Sequence, residues 1–156
     1  MTMVSARRIE KITHELNAVI SVPGSKSIAN RALVCAALAS GESVISGVPD
    51  GNDTEAMIEG LISLGARIER TDNNVIFRSG IDLDRNEPIT LNARLAGTTA
   101  RFLTAVCGLV SGPTLITGEN ALLSRPMNDL HQALLSLGIS VEWRGEAGHL
   151  PVVIHR

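Results

Sequence analysis

Lys26, Ser27 and Arg31 stand out first, inside the run Pro23-Gly24-Ser25-Lys26-Ser27-Ile28-Ala29-Asn30-Arg31. A strand gives way to a helix within this run of small residues. Several backbone N–H groups are then free to point outward at the positive end of the helix dipole. Lys26 stands at the lip, and Ser27 and Arg31, four apart, share one helical face. A lysine, a hydroxyl and a guanidinium around a helix start make a site for a phosphate or a carboxylate. The run is not a Walker A loop, because Ser25 rather than Gly precedes the lysine. A plainer reading stays open: Ser25 or Ser27 caps the helix, and Lys26 and Arg31 are merely solvated.

A second helix start further along carries Gly97, Thr98, Thr99 and Arg101. Two anion-ready starts in register are stronger evidence than one, although a duplication copies its caps along with its fold. Arg125 precedes Pro126, which holds the arginine backbone extended and fixes its direction. A pre-aimed guanidinium suits bidentate capture of a carboxylate or phosphate; the alternative is a surface arginine beside a helix start. The other candidates read as structural. His14, His131, His149 and His155 lack partners at triad or metal spacing and read as surface or strand-end residues. Asp50 and Asp53 read as turn and helix cap, and Trp143 as a packed strand residue. Cys35 and Cys107 have no Cys or His companions at metal-ligand spacing, and both read as buried core thiols. No metal and no cofactor is expected.

The elements that must position these residues repeat. Leu61-Ile62-Ser63-Leu64-Gly65-Ala66 returns as Leu134-Leu135-Ser136-Leu137-Gly138-Ile139, 73 residues later. Ser40–Gly47 returns as Ser111–Gly118 at an offset of 71, and the segment from Ser25 to Arg31 parallels Leu95–Arg101 at 70. The pattern predicts two tandem units, about 18–80 and 88–156, joined by the polar stretch Gly80–Glu87. Each unit reads βαβαββ, an α/β (α+β) arrangement with helices on one side of a sheet. The expected strands are Ala18–Val22, Ser43–Ser46, Arg67–Arg70 and Val75–Arg78, then Ile89–Leu91, Thr114–Thr117, Ser140–Trp143 and Pro151–His155. The expected helices are Ser27–Ala39, Thr54–Leu64, Thr98–Val110 and Met127–Leu137. Gly41, Gly65, Gly112 and Gly138 are expected to end these helices in the left-handed conformation. Asp53 is the expected N-cap of the second helix, and Pro126 suits a first helical turn. Asp72-Asn73-Asn74 and Gly145–Gly148 are the expected hairpin turns.

Composition sets the outer bounds. The 156 residues are 44% hydrophobic but 2% aromatic, with 14 Gly and 19% charged residues. That excludes disorder. A net charge of −2 and a near absence of rings argue against nucleic-acid partners. The apolar stretches around 32–39 and 102–110 are far short of the roughly 18 residues a bilayer span needs. No apolar run follows Arg7 and Arg8 to make a signal-peptide core, so the reducing cytoplasm is the default location.

The run at 23–32 closely resembles the N-terminal signature of the EPSP synthases, members of the enolpyruvyl transferase family. Ala96-Gly97-Thr98 with Arg101, and then Arg125-Pro126, match that family's next two motifs in order and spacing, and Asp53 falls where the family usually keeps an Asp. The resemblance covers essentially the whole chain. It implies transfer of the enolpyruvyl group of phosphoenolpyruvate to the 5-hydroxyl of shikimate 3-phosphate, in aromatic amino-acid synthesis. It also implies roles: Lys26, Ser27 and Arg31 for shikimate 3-phosphate, and Lys26, Gly97 and Arg125 for phosphoenolpyruvate, with Thr98 and Arg101 as secondary candidates. Such chemistry needs acid/base groups and clamped anions but no metal.

Two departures stand out. Leu95 occupies a position where the family commonly has Asn. The family is also built from six such units in two domains, of which two are present here, so the proton-transferring acids have no counterpart in this chain. The expectation is the N-terminal part of such an enzyme, weakly active or inactive alone, whose uncovered third-unit surface could self-associate. A non-catalytic anion-binding or structural module of the same fold is the alternative. The UDP-N-acetylglucosamine enolpyruvyl transferases fit less well, since Ser27 stands where they have Asn and 119–124 lacks their reactive Cys.

Overall fold

The computed structural model describes residues 8–72 and 74–156. Among these described residues, helices and strands follow in the order α1 (Lys26–Leu38), β1 (Ser43–Ser46), α2 (Asn52–Ser63), β2 (Arg67–Arg70), β3 (Asn74–Ser79), β4 (Ile89–Asn92), α3 (Gly97–Cys107), β5 (Thr114–Thr117), α4 (Asn120–Leu123), α5 (Asn128–Ser136), β6 (Ser140–Trp143) and β7 (Val152–His155). The first three strands form an antiparallel sheet in the order β1-β3-β2. The last four form a second sheet in the order β4-β5-β7-β6. Positions β5, β7 and β6 thus follow the pattern of β1, β3 and β2. The second sheet gains β4, parallel to β5, and α3 is the crossover that such a parallel pair requires.

The helices lie together between the sheets' inner faces. Leu33 of α1, Met57 and Leu61 of α2, and Leu103 of α3 are fully buried and join Phe77, Ile116 and Ile154 from the strands in one continuous core. Close helix approach explains the scarcity of large rings. A Cβ at Gly60 would lie 2.6 Å from Leu103 Cδ1, so α2 and α3 meet where one side chain is missing. Connecting residues 80–87 are tied to the helix layer by Ile81 N–H donating to Ala37 O at 2.9 Å and Asp82 N–H donating to Leu64 O at 2.8 Å.

Several expectations are corrected. Ala18–Val22 forms no strand: among the described residues it has no pairing edge, and Val19, Ile20 and Val22 are exposed. A strand needs a paired neighbour, which a short apolar run alone does not supply. Gly65 and Gly138 have φ of 101° and 81° and end their helices as expected, whereas Gly41 and Gly112 are not left-handed. Gly112 serves close approach instead, since a Cβ there would meet the Asn86 backbone at 2.7 Å. Helix α3 stops at Cys107. Pro126 lies before the Met127 N-cap of α5 rather than inside the first turn. Cys35 is exposed, because α1 buries 29, 30, 33, 36 and 37 and turns 35 outward; Cys107 is buried. His131 is no surface residue. It is fully buried, on the stripe that α5 shares with Leu134, and its Nδ1 accepts from Trp143 Nε1 at 2.9 Å. The hairpin turn expected at Asp72-Asn73-Asn74 includes Asn73, which lies outside the described residues; on its flanks Thr71 N–H donates to Asn74 O.

Candidate functional site

Three helix starts converge, and the local sequence explains why each is left open. At α1 the N-cap Ser25 is extended and makes no side-chain cap, so the reading in which a serine caps this helix fails. Its first N–H groups remain available. Gly24 lets the turn press against the loop after β1; a Cβ there would sit 2.4 Å from Gly47 O. Ala96 before α3 and Gly51 before α2 have nothing to cap with.

Lys26 Nζ lies 2.8 Å from Asp53 Oδ2, and Lys26 remains mostly exposed. Asp53 is therefore the partner of the lysine in the first turn of α2, not that helix's cap. Together they border an open cavity of about 450 Å³ that also touches Gly24, Asp50 and Asn52. Asp50 has a fully exposed side chain, 3.7 Å from the Arg70 guanidinium.

Arg31 is held twice. Its Nη1 donates to Ser27 O at 2.8 Å, one turn back on the same face. Its guanidinium carbon stands 5.3 Å from the centre of the Phe102 ring on α3, within range of a cation–π contact. Ser27 itself is exposed beside it.

At α3, Gly97 is buried beneath two guanidiniums. A Cβ on Gly97 would fall 2.9 Å from Arg125 Nη1 and 3.2 Å from Arg101 Nη1. Arg101 bonds to Gly97 O at 3.3 Å and to Pro126 O at 3.0 Å, which ties α3 to the segment carrying Arg125. Arg125 is aimed by α4, where its N–H donates to Leu122 O at 3.0 Å. Thr98 is half-buried and Leu95 is half-exposed at the lip of this start. The loop between β4 and α3 takes its shape from Arg94, a non-glycine residue at φ 53°. Asn92 Oδ1 accepts from the Arg94 N–H, and the Arg94 guanidinium grips Glu59 at 2.6 and 2.7 Å.

Arg70, Arg78, Arg94 and Arg144 are each paired with a carboxylate, whereas no ion pair among the described residues involves Arg31, Arg101 or Arg125, nor Arg8, Arg67, Arg85 or Arg156; what sets the first three apart is their place beside the helix starts. Three guanidiniums without a carboxylate partner and an exposed lysine beside uncapped helix starts have the charge and the donors to engage small anions. No group of three or more His, Cys, Asp or Glu that could hold a metal occurs among the described residues. No helix among them is long and apolar enough to cross a membrane.

The structure brings every sequence-identified residue to these helix starts. It adds Asp53 as an ionic partner, Phe102 as a platform, and the buried pair Asn30 and Thr99. Asn30 had a signal: it is an amide on the α1 stripe otherwise filled by Ala29, Leu33, Ala36 and Ala37.

Comparison with known proteins gives the family of the chain. The profile of the EPSP synthase (3-phosphoshikimate 1-carboxyvinyltransferase) family matches residues 10–156. The 3-phosphoshikimate 1-carboxyvinyltransferase of Bordetella pertussis is 36% identical over 135 residues, covering 86% of this chain and 30% of the relative. That of Shewanella halifaxensis is 37% identical over 150 residues, covering 94% of this chain and 35% of the relative. The EPSP synthase of Acinetobacter baumannii superposes with a TM-score of 0.77 at 26% identity, over 87% of this chain and 31% of that one. The chain thus spans about a third of the length of the relatives it matches. A shared profile over nearly the whole chain, two relatives above a third identity and a common fold lead to one conclusion: this chain belongs to the EPSP synthase family.

Proposed function

We propose that the chain supplies the anion-gripping part of a 3-phosphoshikimate 1-carboxyvinyltransferase site. In that reaction the 5-hydroxyl of shikimate 3-phosphate adds to the enol carbon of phosphoenolpyruvate, and phosphate then leaves. Lys26, Ser27 and Arg31 bind shikimate 3-phosphate. Lys26, Gly97 and Arg125 bind phosphoenolpyruvate, with Thr98 and Arg101 as further contacts. The convergence of uncompensated guanidiniums on uncapped helix starts carries this reading. Preorganised cations and backbone N–H groups hold both reactants and stabilise charge as it shifts to the departing phosphate. Two tandem units, about 18–80 and 88–156, provide one small-residue helix start each, at α1 and α3; the matching strand orders support that division. A cytoplasmic location fits the free thiols Cys35 and Cys107.

Calorimetry with shikimate 3-phosphate on the native chain and on Lys26→Met tests the reading. Binding that the substitution abolishes is expected. Equal binding by both proteins, or none by the native chain, overturns it. A phosphate-release assay with both substrates is expected to show weak or absent turnover, because the chain offers clamping groups without an assigned proton-transfer pair.

A further inference from the structure

We propose that Thr99 is a positioning residue that locks the starts of α1 and α2 onto α3 and thereby sets the placement of Lys26 and Arg31; the functional half of this inference rests on the anion-site reading above. Thr99 is fully buried and Asn30 is 1% exposed, so their polar atoms have no water to fall back on. The Thr99 hydroxyl donates its single proton to Asp53 O at 2.9 Å. Its oxygen is then the acceptor for Asn30 Nδ2, at 3.3 Å, and the chain of bonds runs one way from α1 through α3 to α2. Hydrogen bonds aligned in series in a low-dielectric interior reinforce one another.

The ends of this chain are what tie it to the site. Asn30 directly precedes Arg31, and Asp53 holds Lys26 at 2.8 Å through its carboxylate while its carbonyl receives Thr99. One turn beyond Thr99, Phe102 faces the Arg31 guanidinium at 5.3 Å. Asn30 Oδ1 is buried with no partner. An apolar pair would have filled this contact without that cost, so the bonds serve registry between the helices as well as adhesion.

Thr99→Val keeps the shape and removes both hydrogen bonds; Thr99→Ser keeps the hydroxyl; Asn30→Ala frees α1 alone. Amide spectra and hydrogen exchange of the ligand-free proteins, well below their unfolding midpoints, give the first readout. Thr99→Val is expected to shift and deprotect amides at both 26–29 and 53–55, Asn30→Ala only those at 26–29, and Thr99→Ser neither. Titration with shikimate 3-phosphate gives the second, with affinity falling about tenfold in Thr99→Val and restored in Thr99→Ser. Changes confined to α3, or affinity unchanged in Thr99→Val, overturn the proposal. If the native chain binds no shikimate 3-phosphate, the site reading fails, and the pattern of amide changes still decides whether Thr99 sets the helix starts. If Thr99→Val does not fold, Asn30→Ala against native decides it by the same amides.

Discussion

Adding one methyl group at Gly97 provides a selective test of the phosphoenolpyruvate half of the site. The new Cβ would lie 2.9 Å from Arg125 Nη1 and 3.2 Å from Arg101 Nη1, with Leu122 Cδ1 at an ordinary 3.9 Å. Both close atoms are the far ends of flexible side chains, so the guanidiniums retreat and the backbone does not. Relief to normal contact moves the Arg125 head by roughly half an ångström to one ångström. A misplacement of that size costs a bidentate anion contact up to about 10²-fold. A charge-assisted bond is worth ~1.5–3 kcal/mol, which corresponds to roughly tenfold to a hundredfold in affinity. Gly97 opens α3 and its φ is not in the left-handed region, so alanine fits the backbone there and the fold should be about as stable. The prediction is therefore a split. Gly97→Ala weakens phosphoenolpyruvate by tenfold or more, leaves shikimate 3-phosphate within about twofold, and keeps the melting temperature. Calorimetry with each ligand and a thermal melt measure all three. Unchanged phosphoenolpyruvate affinity, or equal weakening of both ligands, refutes the placement of Arg125 over Gly97.

Two further outcomes follow from the corrected residues. A thiol reagent applied to the native chain should label Cys35 rapidly and Cys107 only on unfolding, because Cys107 lies on the buried face of α3 and burial pushes its thiol up to about 12; two fast-reacting thiols in the native state would contradict the α1 and α3 faces described. Burial first, and then nearby His149, hold His131 below the ordinary histidine range. The unfolded chain then binds a proton that the folded chain resists. This histidine's contribution is complete above about pH 6.5 and is lost as pH falls below it, at up to ~1.4 kcal/mol per pH unit. Urea midpoints at pH 7.5 and 5.5 should differ more for the native chain than for His131→Phe, and equal differences would remove His131 as the cause.

Local signals carried far in this chain. Glycine at 65 and 138, β-branched runs at 43–46 and 114–117, and the duplicated helix starts are short-range features, and the folded chain uses them nearly as read. What failed required knowledge of a neighbour. Ala18–Val22 is a short apolar, β-branched run like a strand, yet pairing is decided by an edge elsewhere in the chain. Gly112 looks like a helix stop, yet its missing side chain makes room for Asn86, 26 residues upstream. Cys35 and His131 depend instead on which stripe of a helix meets the core: α1 buries 29, 33, 36 and 37 and turns 35 outward, and 127, 131 and 134 share one buried face, which places His131 inside.

The proposed site, gathered at the starts of α1, α2 and α3, follows from this mixture of local and distant causes. Each unit brings its own small-residue helix start, but neither start completes a receptor by itself. Lys26 needs Asp53 of α2, Arg31 leans on Phe102 of α3, and Arg125 lies over Gly97 only because α4 turns it there. Every one of these links crosses between elements distant in sequence, so the cations acquire fixed positions only when the helix layer is assembled. Isolated guanidiniums on a surface bind anions weakly because ordering them costs rotamer entropy. Here that cost is met during folding, by Gly60 against Leu103 and by the bonds through Thr99, before any ligand arrives. A variant that loosens the α2–α3 contact without touching a charged residue should therefore lose anion affinity along with stability.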